Sequence, residues 1–187
     1  RMVCTATIVM SFLGYFGEWL TLLPSELLSG DACSRVTESW SVMIKLDDFM
    51  PLTAENCGQF GADTRIVLGL DQVMASPAGL LEGQRLALVD VINSAAWILV
   101  VILLEIEVRV LTRWGGASMP LSQVATFAKA VLYATLVAAA IYWGFKGDFL
   151  DFWDAALWLF AFVFIELNVF EWQQELRDQT SETPGIS

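Results

Sequence analysis

The chain has 187 residues, of which 56% are hydrophobic and 17% are charged, and its formal net charge is −11. Soluble domains carry about 25% charged residues, so this composition, with a mean hydropathy of +0.59, predicts a membrane protein. The negative net charge predicts that nucleic acid is not a partner, since binding nucleic acid requires a basic face. The sequence contains no histidine, which excludes His-ligated haem, His-ligated zinc and Ser-His-Asp triads.

Four apolar segments are long enough to cross roughly 30 Å of hydrocarbon, which requires about 20 helical residues. They lie at about 5–23, 86–108, 124–143 and 150–170. We therefore predict an all-α integral membrane protein, a four-transmembrane-helix bundle that forms a single membrane domain over the whole chain. We expect the first segment to be retained rather than cleaved as a signal peptide, because no small-residue cleavage site follows it.

The segment 24–84, between the first two predicted membrane helices, is too long to be a bare loop. Residues 36–50 mix apolar and acidic side chains in a way that predicts a short amphipathic helix. A clearer helical spacing of i, i+4, i+7 and i+8 is formed by Ile66, Leu70, Val73 and Met74. We expect two or three short helices that cap the bundle or lie at the membrane interface.

Two of the three cysteines, Cys33 and Cys57, lie in this segment. Outside the cytoplasm two such thiols oxidise readily, and closure of the loop between them would stabilise the fold by about 3 kcal/mol. The sequence thus predicts a structural disulfide. A catalytic redox pair would normally be Cys-x-x-Cys, which is absent, and two free thiols are the remaining alternative.

The distribution of lysine and arginine predicts the orientation in the membrane, because these residues stay cytoplasmic. The connection after the second helix carries Arg109, Arg113 and Lys129 with no acidic residue between them, whereas the segment 24–84 carries three basic and nine acidic residues. We therefore expect that segment to be an external cap. Both termini, including the tail 171–187, should face the cytoplasm of a bacterial inner membrane or its equivalent.

Charged and amide side chains are also predicted at membrane depth near the cytoplasmic face. Glu105 and Arg109 form an i, i+4 pair with the acid first, the favourable order. The helix directions place three further residues at the same depth, namely Lys129, Glu166 and Asn168. Three interpretations stay open: an ion-paired network that fastens the helices, an ion or proton path, and charges that reach the interface without meeting.

A second polar group is predicted near the outer face. Glu18 on the first helix reaches the same leaflet as Asp90 and Asn93 on the second helix. Two carboxylates that face each other at this depth would share a proton or a cation.

The motifs favour a protein without a catalytic or cofactor-binding site. Neither the GxGxxG pattern nor the GxxxxGK[ST] pattern occurs, so no nucleotide site is indicated, and no cofactor is expected. We predict a non-enzymatic multi-pass membrane protein that self-assembles or serves as an accessory subunit of a larger membrane complex. The alternative is a small oligomeric ion or proton channel that uses Glu105 and Glu166. A membrane enzyme with a carboxylate mechanism is the third reading.

Overall fold

The computed structural model describes residues 2–114 and 119–164. This part of the chain contains four α-helices: α1 (Met2–Leu22), α2 (Pro77–Trp114), α3 (Met119–Lys146) and α4 (149–164). The chain divides into two compact units, the first ending at Leu132 and the second beginning at Tyr133. The boundary falls within α3.

A five-stranded sheet fills the segment between α1 and α2. Its strands are β1 (Ser25–Leu27), β2 (Ser41–Lys45), β3 (Asp48–Pro51), β4 (Arg65–Val67) and β5 (Val73–Ala75). They are arranged in the order β1-β4-β5-β2-β3. Strands β2 and β5 are parallel and the other neighbouring pairs are antiparallel, so the sheet is mixed.

The prediction of an all-α four-helix bundle is therefore wrong. The cap expected at 24–84 holds this sheet, two 3-10 helices and the beginning of α2, rather than two or three amphipathic helices. The 3-10 helices are Ala32–Glu38 and Cys57–Gln59. The cap is thus an α+β element, in which the main-chain hydrogen bonds of a sheet connect segments that are distant in sequence.

The predicted amphipathic helix at 36–50 fails because β2 is covered on both faces. Val42 and Met43, adjacent in sequence and on opposite faces of the sheet, are each only 1% exposed. A strand buried on both faces shows no alternation of apolar and polar residues, which removes the usual sequence signal for a strand. The mixture of residues in this segment therefore resembled an irregular helical pattern.

The helical spacing at 66–74 has a different cause. Ile66 lies in β4 and Met74 in β5, and the two residues pair across antiparallel strands. A turn separates the strands, and Gln72 in that turn has a φ of 52°, in the left-handed region that interrupts a helix. The spacing of Ile66, Leu70, Val73 and Met74 thus reflects two short strands and their turn.

One face of the sheet covers a small core that contains the disulfide. Seven buried residues form it: Leu28, Ala32, Trp40, Val42, Leu52, Cys57 and Met74. Cys33 and Cys57 are bonded, with their Cα atoms 4.9 Å apart, which confirms the predicted disulfide. The bond joins the two 3-10 helices. Asp31 caps the first of them by accepting a hydrogen bond from the backbone N–H of Cys33 over 3.0 Å.

Of the four predicted membrane helices, only the second and third correspond to helices of the described residues that are long and apolar enough to cross a membrane. These stretches are Pro77–Ile106 and Gln123–Lys146. The apolar part of α1, Ala6–Leu22, is shorter. The fourth prediction coincides with α4 as far as residue 164, and its remainder lies outside the described residues.

Candidate functional site

The clearest organised site in the first unit is the place where α1 and α2 meet the sheet. We call it the helix–sheet junction and define it by the residues that form its contacts: Glu18, Thr21, Leu22, Asp47, Gly69, Gly79, Gly83 and Gln84. It fixes the position of the sheet relative to the helices of the same unit.

A side-chain hydrogen bond joins the two helices at this junction. The Nε2 of Gln84 donates to the carbonyl oxygen of Leu22 over 2.7 Å. The last carbonyl groups of a helix have no partner within the helix, so Gln84 satisfies one of them from the neighbouring element. Within α1, the Thr21 hydroxyl donates to the carbonyl oxygen of Glu18 over 2.7 Å.

Two glycines allow the first turns of α2 to lie against β2. A Cβ atom on Gly79 would lie 3.0 Å from the carbonyl oxygen of Ile44, and one on Gly83 would lie 3.2 Å from the Cε of Met43. Residues four apart lie on one face of a helix, and small residues there permit close approach of another element. The Gly79-x-x-x-Gly83 spacing is visible in the sequence, and it was the signal that could have identified this contact.

A third glycine fits the turn between β4 and β5 against α1. A Cβ atom on Gly69 would overlap the backbone of Thr21, including its carbonyl oxygen, carbonyl carbon and Cα. A side chain at position 69 would therefore displace either the turn or the end of α1. This contact and the hydrogen bond of Gln84 were missed by the sequence analysis, because each depends on pairing between distant residues.

The outer polar residues lie on the two helices expected, with Glu18 on α1 and both Asp90 and Asn93 on α2. Asp47, in the turn between β2 and β3, exerts its negative charge on Glu18. On α2, Ser94 is buried and donates to the carbonyl oxygen of Val91 over 3.0 Å. The Oδ1 of Asn93 is buried without a hydrogen-bond partner. A shared proton or cation between Glu18 and Asp90 stays a prediction.

The inner charged residues are described only in part. Arg109 donates from Nε to the Oε1 of Glu105 over 3.1 Å, and its Nη2 lies 3.0 Å from the same oxygen. Lys129 is half-buried on α3. Glu166 and Asn168 lie outside the described residues. The convergence of all five side chains therefore stays a prediction.

The second unit contains an apolar cleft of about 510 Å³ between α3 and α4. Six of the side chains that line it are Tyr133, Val137, Ile141, Phe152, Phe160 and Val163. Such a lining offers apolar contact surface and the hydroxyl group of Tyr133, and none of these six side chains is charged. Across 2–114 and 119–164, no three His, Cys, Asp or Glu side chains are placed to hold a metal ion.

The organised features of the described chain are thus a helix–sheet junction, a disulfide-stapled sheet and helices with apolar surfaces. No protein-family model, curated protein or solved structure matches this chain.

Proposed function

We propose that this chain is a non-enzymatic, multi-pass membrane protein that assembles with further copies of itself or with a larger membrane complex. In this proposal α2 and α3 cross the bilayer, and the sheet lies on its outer side. The observation that carries the proposal is the apolar surface that these two helices leave uncovered.

Only 28% of the most apolar stretch of α2 and 17% of that of α3 are buried within the chain. The uncovered side chains are large and aliphatic or aromatic, such as Leu99 on α2 and Phe127 on α3. Full burial of one such side chain is worth roughly 1.5–3 kcal/mol. A soluble protein would bury a helix of this kind in its core, so lipid is the environment that fits the exposed surface.

The lengths of the helices agree with a bilayer. At about 1.5 Å per residue, the 30 residues of Pro77–Ile106 and the 24 residues of Gln123–Lys146 exceed the roughly 30 Å of a hydrocarbon core. Consecutive helices that both cross must run in opposite directions. The connection between them therefore lies on one side, and the sheet before α2 lies on the other.

Two independent features support an outer location for the sheet. The Cys33–Cys57 bond is typical of an oxidising compartment. The opposite connection begins near Arg109 and ends before Lys129 without an acidic residue, and such a connection stays cytoplasmic. A cytoplasmic location of both termini would require α1 and the fourth helix to cross as well, and it stays a prediction.

The exposed surface of α3 supports assembly. Ala130, Ala134 and Ala138 are spaced four apart and are exposed. In lipid, apolar side chains give no hydrophobic drive between helices, and small residues instead permit close packing. We therefore assign this surface of α3 to contact with another transmembrane helix, either of a second copy or of a partner subunit.

Membrane insertion is tested by thiol accessibility of the full chain in intact cells. A cysteine at Asp63, in the outer segment, should react with an impermeant maleimide, and a cysteine at Gly116, in the connection after α2, should react only after permeabilisation. Labelling of Gly116→Cys in intact cells would overturn the orientation. Extraction of the chain by alkaline carbonate without detergent would overturn membrane insertion itself.

Assembly is tested by the mass of the purified particle in mild detergent. The native chain should form a particle of more than one protein chain, and Ala134→Leu with Ala138→Leu should reduce its mass. Ala161→Leu is the control, because Ala161 is exposed on α4 and receives the volume added at each of the two positions on α3. A single-chain particle that retains no partner protein would contradict the subunit role.

A further inference from the structure

The two cysteines of the disulfide lie in different surroundings. Cys33 is exposed near the start of the first 3-10 helix, whereas Cys57 is only 4% exposed and belongs to the core of the sheet. Thiol–disulfide exchange requires a thiolate to reach one of the two sulfurs, in line with the bond that breaks. Access therefore selects the sulfur of Cys33, and the sulfur of Cys57 becomes the leaving group.

The segment around Cys57 is held in place by hydrogen bonds that do not involve the disulfide. The backbone N–H of Cys57 donates to the carbonyl oxygen of Thr53 over 2.9 Å. The side chain of Asn56 accepts from the backbone N–H of Thr53 over 2.8 Å and donates to the carbonyl oxygen of Pro51 over 2.9 Å. After exchange Cys57 therefore stays in the core, where its sulfur lies 3.7 Å from the carbonyl oxygen of Ala54, an acceptor for the released thiol.

The side chains beside Cys33 carry a net negative charge. The Oδ1 of Asp31 accepts a hydrogen bond from the backbone N–H of Cys33 over 3.0 Å. Arg35, in the same helix, is engaged by Glu38, since its Nη1 lies 3.7 Å from the Glu38 Oε2, and its guanidinium lies 4.9 Å from the ring centre of Trp40. A thiol with an ammonium tail is therefore attracted to Cys33, whereas a thiol with a sulfonate tail is repelled.

We propose that Cys33 is a thiol-exchange site at which a small aminothiol opens the Cys33–Cys57 bond. The thiolate of the aminothiol forms a bond to the Sγ of Cys33, and the Sγ–Sγ bond breaks. Cys57 leaves with the electron pair as a thiolate and takes a proton from water. The sulfur of the aminothiol is thereby oxidised to a mixed disulfide and the sulfur of Cys57 is reduced, so the exchange needs no further oxidant or reductant.

The burial of the leaving sulfur limits the rate of this exchange. A buried site disfavours the charged thiolate, so the folded chain should react more slowly than the unfolded chain. Burial does not redirect the attack, because the sulfur of Cys57 stays out of reach of the aminothiol. The product carries the adduct on the first 3-10 helix and lacks the covalent link to the second. This inference concerns the sheet alone and does not depend on the crossing of α2 and α3.

The experiment uses the full chain with Cys4→Ser in mild detergent, so that Cys33 and Cys57 are the only cysteines. Cysteamine is the probe. The reaction is stopped with acid at low conversion, and the released thiol is alkylated. Cleavage after Arg35 and Lys45 then separates the two cysteines, and the peptides are mapped by mass. A parallel reaction in guanidinium chloride reports the unfolded chain.

In the folded chain cysteamine should be found on Cys33 at least about tenfold more often than on Cys57, because exchange depends on which sulfur is accessible. In guanidinium chloride the two adducts should form in nearly equal amounts, and the reaction should be faster. The comparison therefore separates the effect of the fold from that of the local sequence.

The preference for an aminothiol is tested by the ratio of the exchange rates of cysteamine and mercaptoethanesulfonate at low ionic strength. Asp31→Asn should lower this ratio about threefold, because it removes a charge close to the reacting sulfur, while Asn still caps the helix. Asp154→Asn is the control, since it removes the same charge from an exposed position on α4 and should leave the ratio unchanged. Added salt should lower the ratio of the chain that retains Asp31, which tests the charge effect without a variant at this site.

Four outcomes would each overturn the inference. If cysteamine is found mainly on Cys57 or equally on both cysteines of the folded chain, Cys33 is not the site of attack. If exchange occurs only in guanidinium chloride, the bond is closed to external thiols. If the preference for Cys33 persists unchanged in guanidinium chloride, the fold does not cause it. If the rate ratio responds neither to Asp31→Asn nor to salt, aminothiols are not preferred.

Discussion

The side-chain amide of Gln84 donates a hydrogen bond to the backbone carbonyl oxygen of Leu22 over 2.7 Å. Leu22 is the last residue of α1, whereas Gln84 lies in the second turn of α2. The bond therefore closes a segment of 61 residues that contains the whole sheet, since the sequence separation is 62. It holds the end of α1 against the second turn of α2.

Gln84→Ala should lower the free energy of unfolding by about 1 kcal/mol, because the carbonyl oxygen of Leu22 loses its donor while it stays partly buried. Thermal unfolding of the full chain in mild detergent measures the effect. Gln59→Ala is the control, since Gln59 is exposed in the second 3-10 helix. Equal changes in Tm for the two variants would mean that the hydrogen bond does not contribute.

Gly69→Ala should destabilise the first unit by about 1–3 kcal/mol, the range for a side chain forced into a packed site. The added methyl group would overlap the backbone of Thr21, which cannot move aside as a flexible side chain can. Gly58→Ala is the matched control, because a Cβ atom at that position meets nothing within 4 Å. A Gly69→Ala variant as stable as the Gly58→Ala variant would contradict the close approach of the turn to α1.

Removal of the disulfide by Cys33→Ser with Cys57→Ser should destabilise the sheet by about 3 kcal/mol, because the unfolded chain regains the entropy of a loop closed over a separation of 24 residues. The rate of proteolysis within 24–76 should rise, and α2 should stay protected. Cys4→Ser is the control. If proteolysis is unchanged, the core of the sheet holds without the bond.

Arg109→Leu should destabilise the chain more than Arg109→Leu combined with Glu105→Leu, because the single change leaves the Glu105 carboxylate without this cation. The side chains of Arg109 and Glu105 are 72% and 39% exposed, so we expect a coupling energy of only about 0.5–1 kcal/mol. A double-mutant cycle on thermal unfolding measures it. A double variant no milder than the single would show that the pair is not coupled.

The same residues separate the channel alternative from the subunit role. If Glu105 lies on an ion or proton path, liposomes that contain the Glu105→Gln variant should show a different ion or proton flux from liposomes that contain the native chain. If the native particle passes no current, the channel alternative fails.

The sequence predicted those elements whose signal lies within one continuous segment. The apolar lengths of α2 and α3 and the placement of Cys33 and Cys57 were sufficient to predict two helices long and apolar enough to cross a membrane, and the disulfide. The helices were predicted from the length of apolar segments, and the disulfide from the positions of two cysteines. Both properties can be read directly from a single sequence. In contrast, β1 and β4 pair over a sequence separation of 42, since Ser25 lies opposite Val67, and no local pattern records such a pairing.

The strands were missed for a further physical reason. They are three to five residues long, and β2 is buried on both faces, so neither length nor alternation identified them. At the candidate site, Gly79-x-x-x-Gly83 was visible as a spacing, but its meaning depended on the presence of β2 beside it. Gln84 carried no signal, because a single amide on a helix is usually solvated.

The position of β5 determines how the sheet responds to mechanical force. This strand lies at the centre of the sheet between β4 and β2, and Pro77, the first residue of α2, follows its last residue, Ala75, after one intervening position. Tension applied along α2 therefore loads the middle of the sheet rather than an edge. Two hydrogen-bonded ladders, with β4 and with β2, must break before β5 leaves the sheet, so a pull on α2 meets the sheet as a cooperative load instead of unzipping one strand at a time.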